Sequence, residues 1–280
     1  MKNTHSVAIA GANGFVGKHL QDTFSHVMVL HRDDSVEVLL DKLKSANVVI
    51  NLAGAPIVKR WNDRYKKVLY ESRIETTRKL VEAINQSETE YFISTSAIGI
   101  YPNNKVCDES STEHADDFLA KLCVDWEGEA LKCTKPTAIL RLGVVLGKDG
   151  GALQKMLLPF KLGLGGVIGD GNMMTSWIHI SDLLNMYQFL VAHRAQGVFN
   201  AVAPHPVTNR VFMEALTQAL GRPAFVPLPV LALKAIYGEA SCVLTDSKEI
   251  YPREIEALGF EFEYGTIYDA LEEIVSSRNK

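Results

Sequence analysis

The chain has 280 residues, of which 47% are hydrophobic and 22% are charged, and its formal net charge is -4 at neutral pH. These values are typical of a soluble globular protein and exclude a disordered or fibrous chain. There is no basic run flanked by aromatic residues and no apolar run of roughly 18–20 residues, so we expect a cytoplasmic protein that acts on a small molecule and binds neither nucleic acid nor membrane.

Apolar runs alternate with helical patterns along the first half of the chain. Strand-like runs lie at 7–10, 27–30, 47–54, 91–97 and 137–147, and helical patterns lie at 15–24, 35–46, 65–85 and 116–133. The second helix is expected to begin at a cap formed by Asp34 or Ser35. Strands that alternate with helices predict an α/β fold with a parallel sheet covered on both faces.

The pattern changes after Gly147. Glycine-rich loops precede a helix at 181–194, which Ser181 or Asp182 is expected to start, and a further strand at 197–203. Three prolines in the segment that follows exclude a regular helix until about Val230. The second half of the chain therefore predicts a smaller lobe over the edge of the sheet.

Three glycines separate the first strand from the first helix. Gly11, Gly14 and Gly17 form a GxxGxxG pattern, in which the first makes a tight turn, the second lets the backbone approach a pyrophosphate, and the third lets helix and strand pack closely. The N-terminus of the helix offers free N–H groups to the same anion. The alternative is a turn that serves helix packing alone, but the second strand follows at the right place and favours dinucleotide binding.

The residues after the second strand indicate which dinucleotide is bound. An acidic residue there holds the ribose 2'-hydroxyl of NAD, whereas an Arg accommodates the 2'-phosphate of NADP. The strand is followed by His31, Arg32, Asp33 and Asp34. Arg32 precedes the acidic pair and its guanidinium suits a phosphate, so we predict NADP. The alternative is NAD, with Asp33 on the ribose.

Longer motifs accompany the glycine turn. The chain contains NLAGAPIVKRW (51–61), SRIETTRKLVEAI (72–84), DDFLAKLCVDWEGEAL (116–131), RLGVVLGKDGGAL (141–153) and LGFEFEY (258–264). As a set, these motifs resemble the extended short-chain dehydrogenase/reductase superfamily, and in particular its atypical branch of epimerase family proteins. The resemblance covers nearly the whole chain.

The resemblance implies a fold and a division into domains. It implies a Rossmann-like, doubly wound parallel sheet over residues 1–148 and a smaller C-terminal substrate lobe over 149–280, from which about 176–203 returns to the sheet. The usual third strand is shortened or missing, because only about sixteen residues follow Leu30 before the next strand. The word epimerase is inherited from sugar-nucleotide relatives by fold analogy, so it does not supply a substrate.

The resemblance also implies a set of site residues. The dinucleotide is expected to contact Gly11, Asn13, Gly14, Phe15, Val16, Arg32, Leu52, Ala53, Gly54, Ser94, Leu142 and Gly143. Ser96 matches the active-site Ser/Thr of the superfamily, whose hydroxyl bonds a substrate oxygen; the alternative is a Ser that caps a loop. Arg73 stands where relatives carry an Asn near the nicotinamide, so it either binds an anionic substrate or is a surface charge.

Typical members of the superfamily transfer protons with a Tyr and a Lys four residues later, and Tyr101 and Lys105 have this spacing. The spacing works when both residues share a helix face. A proline follows Tyr101 and disfavours a helical conformation there, so we predict that the match is coincidental. The helix at 116–133, where the resemblance would place the pair, carries Leu119 and Cys123 at those positions.

Other polar and aromatic residues have structural explanations. Asp116 and Asp117 are expected to cap a helix and not to form a catalytic dyad. Trp126 is expected in the core, and His179 is expected to be structural because it adjoins a helix start. The four cysteines have no metal-binding spacing, so we predict no metal site.

The sequence predicts an NADP-binding oxidoreductase-like protein of the extended short-chain dehydrogenase class, without the usual Tyr/Lys pair and with an unknown substrate. Ser96 and Tyr101 would orient the reacting oxygen. The first alternative is a dinucleotide-binding regulator or scaffold, and the second is a nucleotide-sugar epimerase, against which the missing Tyr argues. Helices that begin near Arg64 and Asp116 are the candidates for a homodimer interface.

Overall fold

A parallel sheet of six strands forms the centre of the computed structural model, in which residues 3–161, 165–222 and 227–276 are described. The strands of the described residues are, in chain order, β1 (Asn3–Ala10), β2 (Phe24–Leu30), β3 (Val48–Asn51), β4 (Tyr91–Ala97), β5 (Val106–Cys107), β6 (Thr137–Leu142), β7 (Val144–Gly147), β8 (Met174–Thr175), β9 (Trp177–His179), β10 (Gly197–Ala201), β11 (Val207–Thr208) and β12 (Glu249–Ile250). The central sheet has the order β10-β6-β4-β3-β1-β2, and every neighbouring pair is parallel. The predicted α/β class and parallel sheet are confirmed.

Helices connect most of these strands. The α-helices of the described residues are α1 (Phe15–Thr23), α2 (Val36–Leu43), α3 (Asp63–Tyr70), α4 (Thr76–Asn85), α5 (Phe118–Ala130), α6 (Gly151–Lys161), α7 (Ile180–His193), α8 (Asn209–Leu220), α9 (Val230–Tyr237), α10 (Cys242–Thr245), α11 (Arg253–Ala257) and α12 (Ile267–Ser276). None of these helices combines the length and the apolar character that crossing a membrane would require. The start of α9 agrees with the end of the proline-rich segment.

The strand order reverses between β1 and β3. From β1 the chain passes outward to β2, and it then returns to β3 and continues in the opposite direction through β4, β6 and β10. In open α/β sheets, ligands bind outside the carboxyl ends of the strands at such a reversal. Between Leu30 and Val48 the chain forms only α2, so β2 is the edge of the sheet and the third strand of the usual fold is missing, as its spacing predicted.

The two faces of the sheet bury alternate residues of each strand. Along β1, Val7 and Ile9 face α1 and α7, whereas Ala8 and Ala10 face the layer of α2, α4 and α5. All four residues are at most 3% exposed. Strands that are buried on both faces carry continuous apolar runs, which explains the run that identified β1 in the sequence.

Two predicted elements are divided in the structure. The strand expected at 137–147 stops at Leu142, and β7 leaves the central sheet to pair with β9. Gly143 lies between the two strands. A side chain would not fit there, because a Cβ would stand 2.7 Å from Val202 and 2.8 Å from the carbonyl oxygen of Ser176. The helix expected at 65–85 is interrupted by a π-helical turn, Glu71–Glu75, between α3 and α4. Helical periodicity cannot distinguish such a turn from a continuous helix.

Two of the three predicted helix caps are observed. Ser35 accepts from the N–H of Val38 before α2, and Asp117 accepts from the N–H of Ala120 before α5. The prediction that Ser181 or Asp182 starts α7 is wrong. The helix begins at Ile180, and the ring Nδ1 of His179 accepts from the N–H of Ser181 at 3.2 Å. A neutral imidazole nitrogen can serve as such an acceptor, which the sequence pattern did not indicate.

The C-terminal segments close over the carboxyl ends of β3 and β4. β12 pairs with β5, which follows β4 in the chain. On the other side, Arg60 donates to the carbonyl oxygen of Ala235 at 2.9 Å and Lys66 pairs with Glu239 at 2.6 Å. Residues that are distant in sequence therefore enclose the edge of the sheet at which the predicted site lies.

Candidate functional site

The glycine turn between β1 and α1 has the geometry that its pattern predicts. Gly11 has a φ of 83°, and a Cβ there would stand 2.7 Å from the backbone of Leu52. A Cβ on Gly17 would stand 2.4 Å from the carbonyl oxygen of Gly11. Both positions therefore require glycine, because a side chain would push β3 or α1 away from the turn.

The first turn of α1 offers unpaired N–H groups to an anion. Gly14 is the N-cap residue, and no side chain caps the helix. Gly14 and Asn13 are exposed, so the helix N-terminus is open. The ring of Phe15, the first residue of α1, packs against Gly147 and Gly150, which leave room for it because they have no side chains. Exposed N–H donors and the helix dipole make this turn suitable for a pyrophosphate.

A cavity of about 270 Å³ lies at the ends of β1, β2 and β3, beside the glycine turn. It is lined by residues from the glycine turn, the loop after β2, the loop after β3 and helix α4: among others Gly11, Asn13, His31, Arg32, Ala53, Gly54, Thr76 and Lys79. Arg32 is exposed, and Lys79 donates to the carbonyl oxygens of Arg32 and Asp34, both at 2.6 Å. Lys79 of α4 thus holds the loop that carries Arg32 through two backbone carbonyl groups.

The acidic residues after β2 differ in their surroundings. Asp34 accepts from the N–H of His31 at 2.7 Å and from Lys42 at 2.5 Å. Although burial opposes it, these bonds hold the pKa of Asp34 below its ordinary value. Asp34 therefore closes the turn, and the cavity is lined by Arg32 and His31 but not by Asp33.

The segment after β3 lies between the glycine turn and α4. The N–H of Leu52 donates to Ala10 at 2.8 Å, and the N–H of Ala53 donates to the side chain of Asn51 at 3.1 Å. Asn51 is buried and donates to Thr77 at 2.8 Å. This buried amide explains how the predicted cofactor residues 52–54 are held at the end of the strand.

Arg73 extends from the π-helical turn toward Gly54. A Cβ on Gly54 would stand 3.0 Å from the Cζ and Nη2 atoms of Arg73. Arg73 donates to the carbonyl oxygen of Ala55 at 3.1 Å, and Ser72 accepts from the N–H of the same residue at 3.0 Å. π-Helical turns frequently occur at functional sites. This one is joined to the loop after β3 by the hydrogen bonds of Ser72 and Arg73 with Ala55.

Ser96 lies at the end of β4 in a buried hydrogen-bond network. Its hydroxyl donates to Glu127 of α5 at 2.6 Å. Arg141 of β6 donates from Nε and Nη2 to the two oxygens of Glu127, both at 2.8 Å. Burial disfavours the charge of Arg141, but Glu127 outweighs burial and raises the pKa of the guanidinium. The network therefore holds an ion pair directly behind Ser96.

Tyr101 belongs to the same network. It is 0% exposed, and its hydroxyl accepts from Arg141 at 2.7 Å and donates to Asn200 at 2.9 Å. Its backbone is extended, as the following proline predicts. Lys105 lies on the surface and pairs with Glu113. The structure thus separates the two residues of the YxxxK match, and Tyr101 presents no free hydroxyl to a substrate.

Helix α5 packs beside β4, where the resemblance places the Tyr and the Lys. It contains no Tyr, and its one Lys, Lys121, is exposed. Leu119 lies against Gly99, and Cys123 is buried beside Ser96. Burial raises the pKa of the Cys123 thiol to about 12. Trp126 is in the core, as predicted, and donates to Thr77 at 2.9 Å.

The remaining predicted cofactor residues lie near the strand ends. Ser94 is buried within β4, and its hydroxyl has no partner among the described residues. Leu142 is the last residue of β6, and Gly143 follows at the division described above. Val16 is partly buried against the core that contains α7.

Within the described ranges, no group of His, Cys, Asp or Glu residues could hold a metal, and the four cysteines are free.

Sequence reasoning missed two features of the site. The Glu127–Arg141 pair was not recognised, although an arginine within the apolar run of β6 signals a buried charge that requires a partner. The support that Lys79 gives to the Arg32 loop left no signal in the sequence, because the two residues are 47 positions apart.

Two family models match the chain. The model described as NAD dependent epimerase/dehydratase family matches residues 7–201, and a domain of unknown function, DUF1731, matches residues 228–274. Among curated relatives, the chain is 37% identical to "Epimerase family protein SDR39U1 homolog, chloroplastic" from Arabidopsis thaliana over 96% of this chain and 86% of that protein. It is 36% identical to "Epimerase family protein SDR39U1" from Mus musculus over 96% and 99%.

Solved structures agree with these matches. The crystal structure of the human epimerase family protein SDR39U1 (isoform 2) with NADPH has a TM-score of 0.90 and 33% identity, covering 97% of this chain and 99% of that one. A dTDP-4-dehydrorhamnose reductase from Bacillus anthracis, in complex with NADP, shares the fold at a TM-score of 0.81 and 14% identity over 98% and 100%. The chain belongs to the NAD dependent epimerase/dehydratase family, which confirms the resemblance inferred from its motifs.

Proposed function

We propose that the protein is an NADP-dependent oxidoreductase of the short-chain class that works without the usual Tyr/Lys pair. The observation that carries the proposal is the cavity at the ends of β1 to β3, where Arg32 lies beside an open glycine turn. A guanidinium at this position suits the 2'-phosphate of NADP. The NADPH in the crystal structure of the human relative supports the same cofactor.

The chain offers a place for each part of the dinucleotide. The pyrophosphate would lie on the N–H groups that follow Gly14, and the adenosine 2'-phosphate on Arg32. The nicotinamide would lie across the strand ends near Gly54, Ser96 and Gly143. A bound nicotinamide supplies or accepts a hydride, so the protein has to bind the substrate oxygen and handle its proton.

Ser96 is the proposed catalytic residue. Because its hydroxyl donates to Glu127 at 2.6 Å, its oxygen is left as an acceptor. A substrate hydroxyl that donates to Ser96 would stand one further hydrogen bond from a carboxylate. Ser96 would accept this hydrogen bond and orient the reacting oxygen, in oxidation as in reduction. Glu127 is in this scheme a positioning residue, because its ion pair with Arg141 holds the carboxylate that fixes the Ser96 hydroxyl.

A non-catalytic regulator that binds the dinucleotide is the second candidate. The observation that favours it is the burial of Cys123 on α5, which keeps its thiol protonated at neutral pH. The resemblance puts Leu119 and Cys123 at the positions of the proton-transfer pair. A nucleotide-sugar epimerase is the third candidate. It needs an acid/base group that reaches both faces of a sugar carbon, and Tyr101 is held by Arg141 and Asn200.

Binding and turnover measurements separate these candidates. Fluorescence titration should show tighter binding of NADPH than of NADH, and NADPH oxidation should then be followed with aldehydes, ketones and nucleotide sugars. For any substrate that turns over, Ser96→Ala should lower kcat by about 10²-fold or more, whereas the exposed control Ser110→Ala should not. Tight NADPH binding without turnover of any substrate would favour the regulator, and a preference for NADH would refute the cofactor assignment.

A further inference from the structure

Arg73 lies at the edge of the sheet where the proposed reaction would take place. It is the middle residue of the π-helical turn Glu71–Glu75, and its guanidinium rests against Gly54, which is exposed. The ring centroid of Trp126 lies 5.3 Å from its Cζ atom. A backbone segment and an indole ring thus hold the planar group in position beside the loop after β3.

The hydrogen bonds of Arg73 leave part of its guanidinium free. A guanidinium has five N–H donors. Nη1 donates to Leu69 at 3.3 Å and lies 3.5 Å from Ser72, and Nη2 donates to Ala55 at 3.1 Å. Within the described ranges Nε has no acceptor, and it is not among the unpartnered atoms that are sealed from solvent. Nε–H and the second hydrogen of Nη2 therefore remain for a ligand.

The charge of Arg73 has no counter-charge in the described part of the chain. No carboxylate there lies within 4.0 Å of it, and the side chains that act electrostatically on its charge are the Cys123 thiol and the Tyr65 phenol. Burial lowers the pKa of Arg73, which shows that its surroundings disfavour the charged form. A partly buried cation without an anion is costly, and a ligand with an oxyanion would offset that cost.

Two other arginines of the same region are paired. Arg141 binds both oxygens of Glu127, and Arg78, which follows on α4, binds Glu129 at 2.8 Å. Arg73 differs from both because its guanidinium donates to neutral oxygens and to no carboxylate of the described residues. This difference indicates that the anionic partner of Arg73 does not come from the described residues of the protein.

From these observations we infer that the substrate carries an oxyanion, a carboxylate or a phosphate, which binds to the free Nε/Nη2 edge of Arg73. The Cys123 thiol hydrogen-bonds with Ser96 and acts electrostatically on the charge of Arg73, so both residues lie close to α5. One small substrate could therefore place its oxyanion on Arg73 and its reacting oxygen on Ser96. The inference rests on the proposed function, since it assigns the reacting oxygen to Ser96.

Calorimetric titration of the protein in the presence of saturating NADP⁺ tests the inference. The probes are benzoate and inorganic phosphate, with benzamide as the neutral isostere of benzoate. We expect one or both anions to bind and benzamide not to bind, and the stronger anion identifies the carboxylate or phosphate source. Arg73→Met should weaken anion binding by about tenfold or more and NADPH binding by less than about twofold.

Arg78→Met is the matched control, because Arg78 lies on α4 directly after the π-helical turn but already has carboxylate partners. This substitution should change neither the anion affinity nor the NADPH affinity. Arg73→Lys covers the case in which Arg73→Met does not fold. Lysine keeps the positive charge but lacks the planar guanidinium with its parallel N–H donors, so this variant should also bind the anion about tenfold more weakly. Equal anion binding by wild type and both Arg73 variants, or binding of benzamide as strong as that of the stronger anion, would overturn the inference.

The same titrations distinguish this inference from the proposed function. If Arg73→Met weakens NADPH binding and leaves anion binding unchanged, Arg73 contacts the cofactor, and the inference fails while the oxidoreductase proposal stands. If the wild-type protein does not bind NADPH at all, the proposed function fails, and titration of the free protein with the two anions still reports on Arg73.

Discussion

The glycine turn and the ends of β4 and β6 lie at the same edge of one sheet, but they use their polar groups in opposite ways. At the glycine turn, helix N–H groups after Gly14 have no side-chain partner, and a cavity lies beside them. At the ends of β4 and β6, Ser96 and Arg141 donate to Glu127, and Arg141 also donates to the hydroxyl of Tyr101. The first region is prepared for a ligand, and the second is largely satisfied by the protein itself.

The two regions depend on different parts of the chain. Dinucleotide binding depends on backbone N–H groups and on glycines, so it is fixed by the main chain. Proton transfer depends on side chains, and here a buried ion pair stands where open acid/base groups would be expected. Substitutions that change one region at a time therefore separate cofactor binding from the buried hydrogen-bond network.

The largest effect is expected at the glycine turn. A side chain on Gly17 would overlap the carbonyl oxygen of Gly11 at 2.4 Å, so Gly17→Val should destabilise the protein by more than about 3 kcal/mol and abolish NADPH binding. Gly128→Val is the control, because a Cβ there meets nothing within 4 Å. Urea unfolding and NADPH titration measure both changes, and a stable Gly17→Val protein that binds NADPH would refute the packing role of this glycine.

The next effect is expected in the buried network. Glu127→Gln leaves Arg141 as a buried charge without a carboxylate, so the free energy of unfolding should fall by about 3 kcal/mol or more. The matched change Glu75→Gln removes an exposed partner of Arg78 and should cost less than about 0.5 kcal/mol. Similar losses in the two variants would show that the protein does not depend on Glu127 to satisfy the buried charge of Arg141.

A smaller effect is expected at the cofactor cavity. Arg32→Ala should weaken NADPH binding by about 10- to 100-fold, since a charge-assisted bond to the 2'-phosphate is lost, and should leave NADH binding nearly unchanged. Arg64→Ala, a change of another exposed arginine, is the control. Parallel fluorescence titrations with the two cofactors measure the ratio, and an unchanged preference after Arg32→Ala would place the phosphate elsewhere.

The smallest effect is expected at Lys105. Its pair with Glu113 lies on the surface, where both side chains are more than half exposed. Lys105→Ala should therefore change the free energy of unfolding by less than about 0.5 kcal/mol and leave turnover unaffected. A large loss of turnover from this change alone would contradict the conclusion that the YxxxK spacing is coincidental.

The sequence predicted those parts of the fold that depend on local pattern. Alternating apolar runs identified the strands of the central sheet, and Gly11, Gly14 and Gly17 identified the turn that lines the cavity. The short connection after Leu30 predicted the missing strand. The cap at His179 and the π-helical turn around Arg73 could not be predicted, since neither produces a distinctive spacing along the chain.

The sequence by itself therefore determined the sheet, the glycine turn and the absence of a Tyr from the helix that contains Leu119 and Cys123, because each is a property of neighbouring residues. Only the tertiary structure decided that Ser96 donates to Glu127 and that Tyr101 is enclosed by Arg141 and Asn200. These partners lie between 31 and 99 positions apart. Their hydrogen bonds form only when separate strands and helices pack together, and no local pattern records which groups the packed chain leaves free.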